Sequence, residues 1–201
     1  MSADAAPTFS VVIPTFNEAG DIDDTLEHVL AQSRRALDVL VVDGGSTDGT
    51  VDRLRSWERR GVTLIEEGER RGVAAARNTG IRRARGDIVV ILNADVMLPE
   101  DFLERLAGVY SRDVDLLSVD SAVSNTEAFS GRYINAVHRL HYDAHHVGWS
   151  EGFSCRREAA LAAAFPEEIP GAGGEDGEFI NRLRRAGRRW EVDYSLCVRP
   201  R

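Results

Sequence analysis

Several short stretches carry side chains whose types and spacing suit chemistry. Asn93-Ala94-Asp95 closes an apolar run, Val89-Val90-Ile91-Leu92, and apolar character resumes at Val96, Met97 and Leu98 before Pro99. An acid at a strand end is ordinary turn chemistry. An acid-tipped strand is also how many α/β enzymes hold a metal and a phosphate. Asp43 heads the stretch GGSTDG (44–49), which suits a turn and a helix cap. Glu175-Asp176 follows the Gly-rich stretch PGAGG (170–174). Two acids there favour a helix N-terminus through the macrodipole, and either could also take a proton from a hydroxyl. His138, His141 and His145 share a helical face, with His146 beside them. That spacing fits a metal cluster or an exposed row of imidazoles. Trp149 fits an exposed stacking face or a core filler.

The elements that must position these groups alternate from the start. Residues 8–14 predict a buried strand and 21–32 a helix with Ile22, Leu26, Val29 and Leu30 on one face. Strand 38–45 ends in a Gly pair, and helix 49–60 follows with Asp48 as its N-cap and Val51, Leu54 and Trp57 inward. Strand 62–67, helix 73–84, strand 87–93, helix 100–110 and strand 114–121 continue the pattern, with Pro99 in the first turn of its helix. Alternation of this kind builds βαβ units and a parallel sheet covered on both faces. Beyond about residue 122 it weakens to a long helix (126–146), a short extended piece, helix 156–164, helix 175–186 and a strand near 190–198. The expected architecture is a single α/β domain, 1–201, with a mostly parallel central sheet and an irregular C-terminal third. Ligands in such sheets bind beyond the carboxyl ends of the strands. Pro14-Thr15-Phe16-Asn17-Glu18, Asp43 to Asp48 and Asn93-Ala94-Asp95 all fall at that edge.

Bulk properties exclude several classes. The 33 acidic residues outnumber 25 basic ones, every one of them Arg, for a net charge of −8. Such a field grips nucleic acid poorly, so no nucleic-acid partner is expected. Cys155 and Cys197 have neither metal-site nor disulfide-framework spacing. No apolar run reaches the ~18 residues of a membrane span, and MSADAAPTFS has no signal-peptide core. A cytoplasmic protein is expected, with at most peripheral contact at the inner membrane face. There is no GxGxxG after the first strand and no GxxxxGK[ST], so the dinucleotide and P-loop readings lack their phosphate cradle.

Taken together, VVIPTFNEAGDI, VVDGGSTDGT, RRGVAAARNTGIRRARGDIVVILNAD and GGEDGEFINRLRRAG resemble the GT-A glycosyltransferases of family 2, in order and spacing, from residue 9 to about 187. The resemblance implies a GT-A, Rossmann-like fold, a nucleotide-sugar donor (UDP-, GDP- or dTDP-sugar), a divalent metal (Mn²⁺ or Mg²⁺) and inversion at the anomeric carbon. It also implies a donor-binding half over about 8–121 and an acceptor-side half over about 122–201. Pro14, Thr15 and Glu18 would line the nucleoside pocket, Asp43 would accept a hydrogen bond from the base, and Arg77 would lie near the nucleotide. Asn93, Ala94 and Asp95 stand where the family has its Asp-x-Asp signature, with Asp95 as metal ligand. Asp176 would be the general base, with Glu175 and Trp149 on the acceptor side. The acceptor would be a glycan, a polyprenyl phosphate or a small alcohol. Asn93 departs from the acidic pattern and weakens the attraction for a cation. The rival reading is a non-catalytic nucleotide-sugar-binding module of a synthase complex.

Overall fold

The computed structural model describes residues 6–122, 133, 136, 151–169 and 173–200. Runs of β-branched residues form strands where the expected alternation places them. These are β1 (Phe9–Thr15), β2 (Asp38–Asp43), β3 (Val62–Glu66) and β4 (Ile88–Ile91). They pair in parallel in the order β3-β2-β1-β4. Both faces of this half are covered. Val11, Ile13 and Val90 meet α1 (Ile22–Leu30), α2 (Thr50–Trp57) and α4 (Phe102–Tyr110) on one side. Val12, Val89 and Ile91 meet α3 (Val73–Arg83), α5 (Arg157–Ala163) and α6 (Glu175–Arg185) on the other. Alternate residues of one strand thus serve two cores, as the period of a strand requires.

The second half departs from a purely parallel sheet. β6 (Leu116–Ser121) does not pair with β4, because β7 (Phe153–Arg156) lies antiparallel between them. β8 (Trp190–Pro200) runs parallel to β6, and the two-residue β5 (Val96–Met97) pairs antiparallel with its end. The short extended piece of the sequence reading is therefore a central strand, buried in its first three residues. Neither the insertion of β7 nor the β5–β8 pair has a local sequence signal, since both depend on segments far apart in the chain. Strands from both sides of residue 122 share one sheet. Of the long helix expected over 126–146, residues 133 and 136 are described and are helical; its other residues, the four histidines and Trp149 lie outside the described residues. Among the described residues, no helix is long and apolar enough to cross a membrane.

Two local details set the functional edge. Gly49, not Asp48, holds the N-cap position of α2, at φ 97°. Asp48 lies one residue earlier and accepts from the Thr50 N–H at 3.0 Å. Helix α3 rides very close to β1: a Cβ on Gly80 would come within 2.3 Å of Val12 Cγ1. Only a glycine permits that approach, and it sets the height of Arg77, one turn earlier, above the sheet. Val12 is fully buried and cannot swing away. Gly80→Ala should therefore cost on the order of 1–3 kcal/mol by overpacking, lowering the melting temperature by roughly 2–10 °C. Thermal melting of the variant checks this, and an unchanged midpoint would mean that α3 has room to rise.

Candidate active site at the carboxyl edge of the sheet

The loops after β1 and β2 are laced into one unit. Asn17 adopts φ 60°, which Asn tolerates better than most residues. Its N–H donates to Ser46 Oγ at 2.8 Å, and its Oδ1 accepts from the Thr47 N–H at 2.9 Å. Glu18 N–H donates to Thr50 Oγ1 at 2.8 Å, and Ala19 N–H to Asp48 at 3.1 Å. Asp43 organises its own turn. Its carboxylate accepts from Gly45 N–H at 3.0 Å, Ser46 N–H at 2.9 Å and Ser46 Oγ at 2.5 Å. An ionised carboxylate has about four acceptor directions, and three of them hold the loop. Pro14 and Thr15 finish β1 as buried residues, with Thr15 Oγ1 donating to Val42 C=O at 3.3 Å.

Asn93, Ala94 and Asp95 leave β4 at the same edge. Ala94 is buried and its carbonyl accepts from Thr25 Oγ1 at 2.7 Å, which fastens the segment to α1. Burial, and secondarily the neighbouring Asp21, push the Asp95 carboxyl above its ordinary value. Burial raises Glu18 too, followed by the charges of Asp95, Asp21 and Asp48. These acids face one another, and the repulsion favours any added cation. Among the described residues, no group of three His, Cys, Asp or Glu side chains could hold a metal ion by itself. Asp95 fits a hard cation as one oxygen ligand, with the rest of the shell left to phosphate oxygens or water.

The acidic pair on α6 reaches this edge through Arg77. The guanidinium Nη1 donates to Glu175 Oε1 at 3.0 Å and also to Asp176 Oδ1, while Nη2 makes a long 3.5 Å contact with Asn93 Oδ1. Arg77 stands over the Phe165 ring at 5.1 Å, and its side chain is 3% exposed. The two acids differ. Glu175 is 5% exposed at its side chain and its other oxygen accepts from Gly173 N–H at 2.7 Å, so it is fully engaged. Asp176 is 21% exposed at its side chain. Behind them Phe179, Ile180 and Leu183 anchor the helix in the core, with Phe179 stacked on Phe165 at 4.0 Å.

The structure thus gathers Asn93, Arg77, Glu175 and Asp176 in one cluster and Glu18 and Asp95 in a second along the same edge. Sequence reasoning gave no individual role to Asn78, Ser46, Asp21 or Phe165. Asn78 stood in plain view beside Arg77, but its contacts are with residues more than eighty positions away. Asn78 Nδ2 donates to Phe165 C=O at 2.9 Å, and Asn78 Oδ1 accepts from Phe165 N–H at 2.8 Å.

The raised Asp95 carboxyl has a consequence for stability. A group whose pKa is higher in the folded state stabilises the fold below its unfolded pKa, and that contribution is lost as pH rises through the folded value. At pH 7 an ionised Asp95 is therefore a liability in the ligand-free protein. Asp95→Asn should raise the melting temperature at pH 7 without ligand, and the gain should shrink as pH falls toward the ordinary carboxylate range. A lower melting temperature at pH 7 would show that the Asp95 charge is compensated within the chain.

A model of the family described as glycosyl transferase family 2 matches residues 10–161. Glycosyltransferase AglE of Haloferax volcanii is 35% identical over 134 residues, covering 63% of this chain and 44% of the relative. A putative teichuronic acid biosynthesis glycosyltransferase, TuaG of Bacillus subtilis, is 39% identical over 103 residues, covering 49% and 40%. The chain thus spans less than half the length of these two relatives. Among solved structures, the mannosyltransferase PcManGT of Pyrobaculum calidifontis, in complex with GDP-Man and Mn²⁺, superposes with a TM-score of 0.76 at 30% identity, covering 98% of this chain and 58% of that one. S. aureus TarS residues 1–349 superpose with a TM-score of 0.77 at 19% identity over 96% of this chain and 60% of that one, a likeness of fold. The motifs, the sheet and the family match coincide over most of the chain, and the protein belongs to glycosyl transferase family 2.

Proposed function

We propose that residues 1–201 are one catalytic domain of an inverting glycosyltransferase. It would move a sugar from a nucleotide-diphosphate donor to a hydroxyl or lipid-phosphate acceptor, a glycan, polyprenyl phosphate or small alcohol. The observation that carries this is the contrast between the two acids on α6. Glu175 is buried and bonded at both oxygens, whereas Asp176 is partly exposed and tied to the same guanidinium as Asn93 at the donor edge. A site needing only a charge would not require one acid buried and one partly exposed.

In this reading Pro14, Thr15 and Glu18 line the nucleoside pocket, and Asp43 accepts a hydrogen bond from the base. The acceptor hydroxyl gives its proton to Asp176 while its oxygen bonds to the anomeric carbon. The bond to the diphosphate breaks on the opposite face, so the configuration inverts. Mn²⁺ or Mg²⁺ beside Asp95 would neutralise the charge that departs with the diphosphate. The similarity to a mannosyltransferase holding GDP-Man and Mn²⁺ supports the donor class and the metal. With a polyprenyl-phosphate acceptor, the chain would meet the inner membrane face through that substrate. The rival, a non-catalytic nucleotide-sugar-binding module, draws on Asn93, whose oxygen faces Arg77 and which lacks the charge of an acid.

Two measurements separate these readings. Asp176→Asn should cut turnover, including slow donor hydrolysis, by roughly 10²–10⁴-fold, the usual worth of general-base catalysis, with donor affinity nearly unchanged. Turnover that survives the change would remove Asp176 from the chemistry, and a parent protein that never hydrolyses any donor would favour the binding module. Calorimetry with Mn²⁺ should show little heat for the protein alone and clear binding once a nucleoside diphosphate is present, because Asp95 supplies few ligands. Tight Mn²⁺ binding without nucleotide would contradict this and turn attention to the histidines at 138–146.

A further inference from the structure

We infer that Arg77 is a positioning residue, which sets Asp176 against the donor edge and does not itself bind the nucleotide. The inference rests on the reading of Asp176 as the base. Arg77 projects from α3, whose height is fixed by the contact of Gly80 with Val12. Its guanidinium lies between Asn93, at the end of β4, and the first turn of α6. Phe165 covers its face, and its side chain is 3% exposed. A diphosphate could reach it only by displacing two carboxylates that already hold it in a buried, charge-assisted contact.

The arrangement performs a task that α6 cannot perform alone. Gly173 and Gly174, immediately before α6, are both at positive φ. Packing of Phe179, Ile180 and Leu183 fixes the helix axis, but the first turn lies beyond those residues. One planar guanidinium bonded to both acids fixes that turn in direction as well as distance, which a point charge does less well. Glu175 then has a distinct role: it secures both Arg77 and Gly173 in the loop before the helix.

The test uses Arg77→Gln and Arg77→Lys in the full chain, with Glu175→Gln reading the same tie from the other side. Two quantities are measured in each: affinity for GDP, UDP and dTDP with Mn²⁺ by calorimetry, and hydrogen exchange at Glu178, Phe179 and Ile180. The Glu178 N–H is the first bonded within the helix, to Gly174 C=O at 3.0 Å. Exchange there should speed up tenfold or more in Arg77→Gln, and less in Arg77→Lys, which keeps the charge. Nucleotide affinity should stay within about threefold of the parent. Hydrolysis of GDP-mannose, UDP-GlcNAc or dTDP-glucose, whichever the parent accepts, should lose kcat with little change in KM and be partly restored by lysine. A tenfold loss of nucleotide affinity with unchanged exchange would overturn the inference and make Arg77 a nucleotide ligand. A parent that binds none of the nucleotides would instead sink the proposed function, while the exchange rates would still decide whether Arg77 holds α6.

Discussion

Arg77 and Asn78 leave α3 as neighbours and close two unlike contacts with the distant stretch from Phe165 to Asp176. Asn78 exchanges two hydrogen bonds with the backbone of Phe165, as a third strand of chain would. Arg77 covers the ring of the same residue and bonds to Glu175 and Asp176. A buried cation between two carboxylates adds little net stability, since desolvation offsets most of the attraction. Breaking it by removing one member is another matter, costing about 3–5 kcal/mol because a buried charge is left uncompensated. The fold is thereby committed to a single placement of α6, and the rest of the edge is arranged around it.

The opposite end of that edge has the reverse character. Around Glu18, Asp21, Asp48 and Asp95 the acids act on one another and burial raises two of them. The loops that carry Glu18 and Asp48 are held by neutral groups: the Ser46 and Thr50 hydroxyls, the Asn17 amide and backbone N–H groups. A tightly bonded scaffold can hold like charges close together, at a cost in stability that a bound cation or a ligand recovers. This is the usual trade between a pre-organised site and a relaxed fold.

The two ends meet through the sheet. β1 carries Pro14 and Thr15, lies under Gly80 and adjoins β4, which delivers Asn93 and Asp95. A shift of α3 over β1 would therefore move Arg77 relative to both acidic groups at once. Close packing of two fully buried strands makes such shifts discrete and not gradual.

The first ninety-odd residues were largely legible as sequence. Period-2 and period-3.6 patterns placed β1 to β4 and α1 to α3 within a few residues, because local hydrophobic patterning dictates those elements. The ordered motifs also pointed to the carboxyl edge and to the acids at 95 and 176. The errors were of another kind. Asp48 looked like an N-cap but serves the turn before it, since Gly49 alone suits φ 97° there. The strand at 153–156 was too short to rank as central, and its place between β4 and β6 follows from pairings separated by more than sixty positions in one case and about forty in the other. How far each acid at the site is exposed was equally hidden. The sequence by itself determined the alternating elements, the sign of the charge and the residue types at the edge, because these follow from local pattern and composition. Only the tertiary structure decided that Arg77 turns inward, that Glu175 is buried while Asp176 stays partly exposed, and that Asn78 holds Phe165, because each is a contact between residues brought together by packing and not by spacing along the chain.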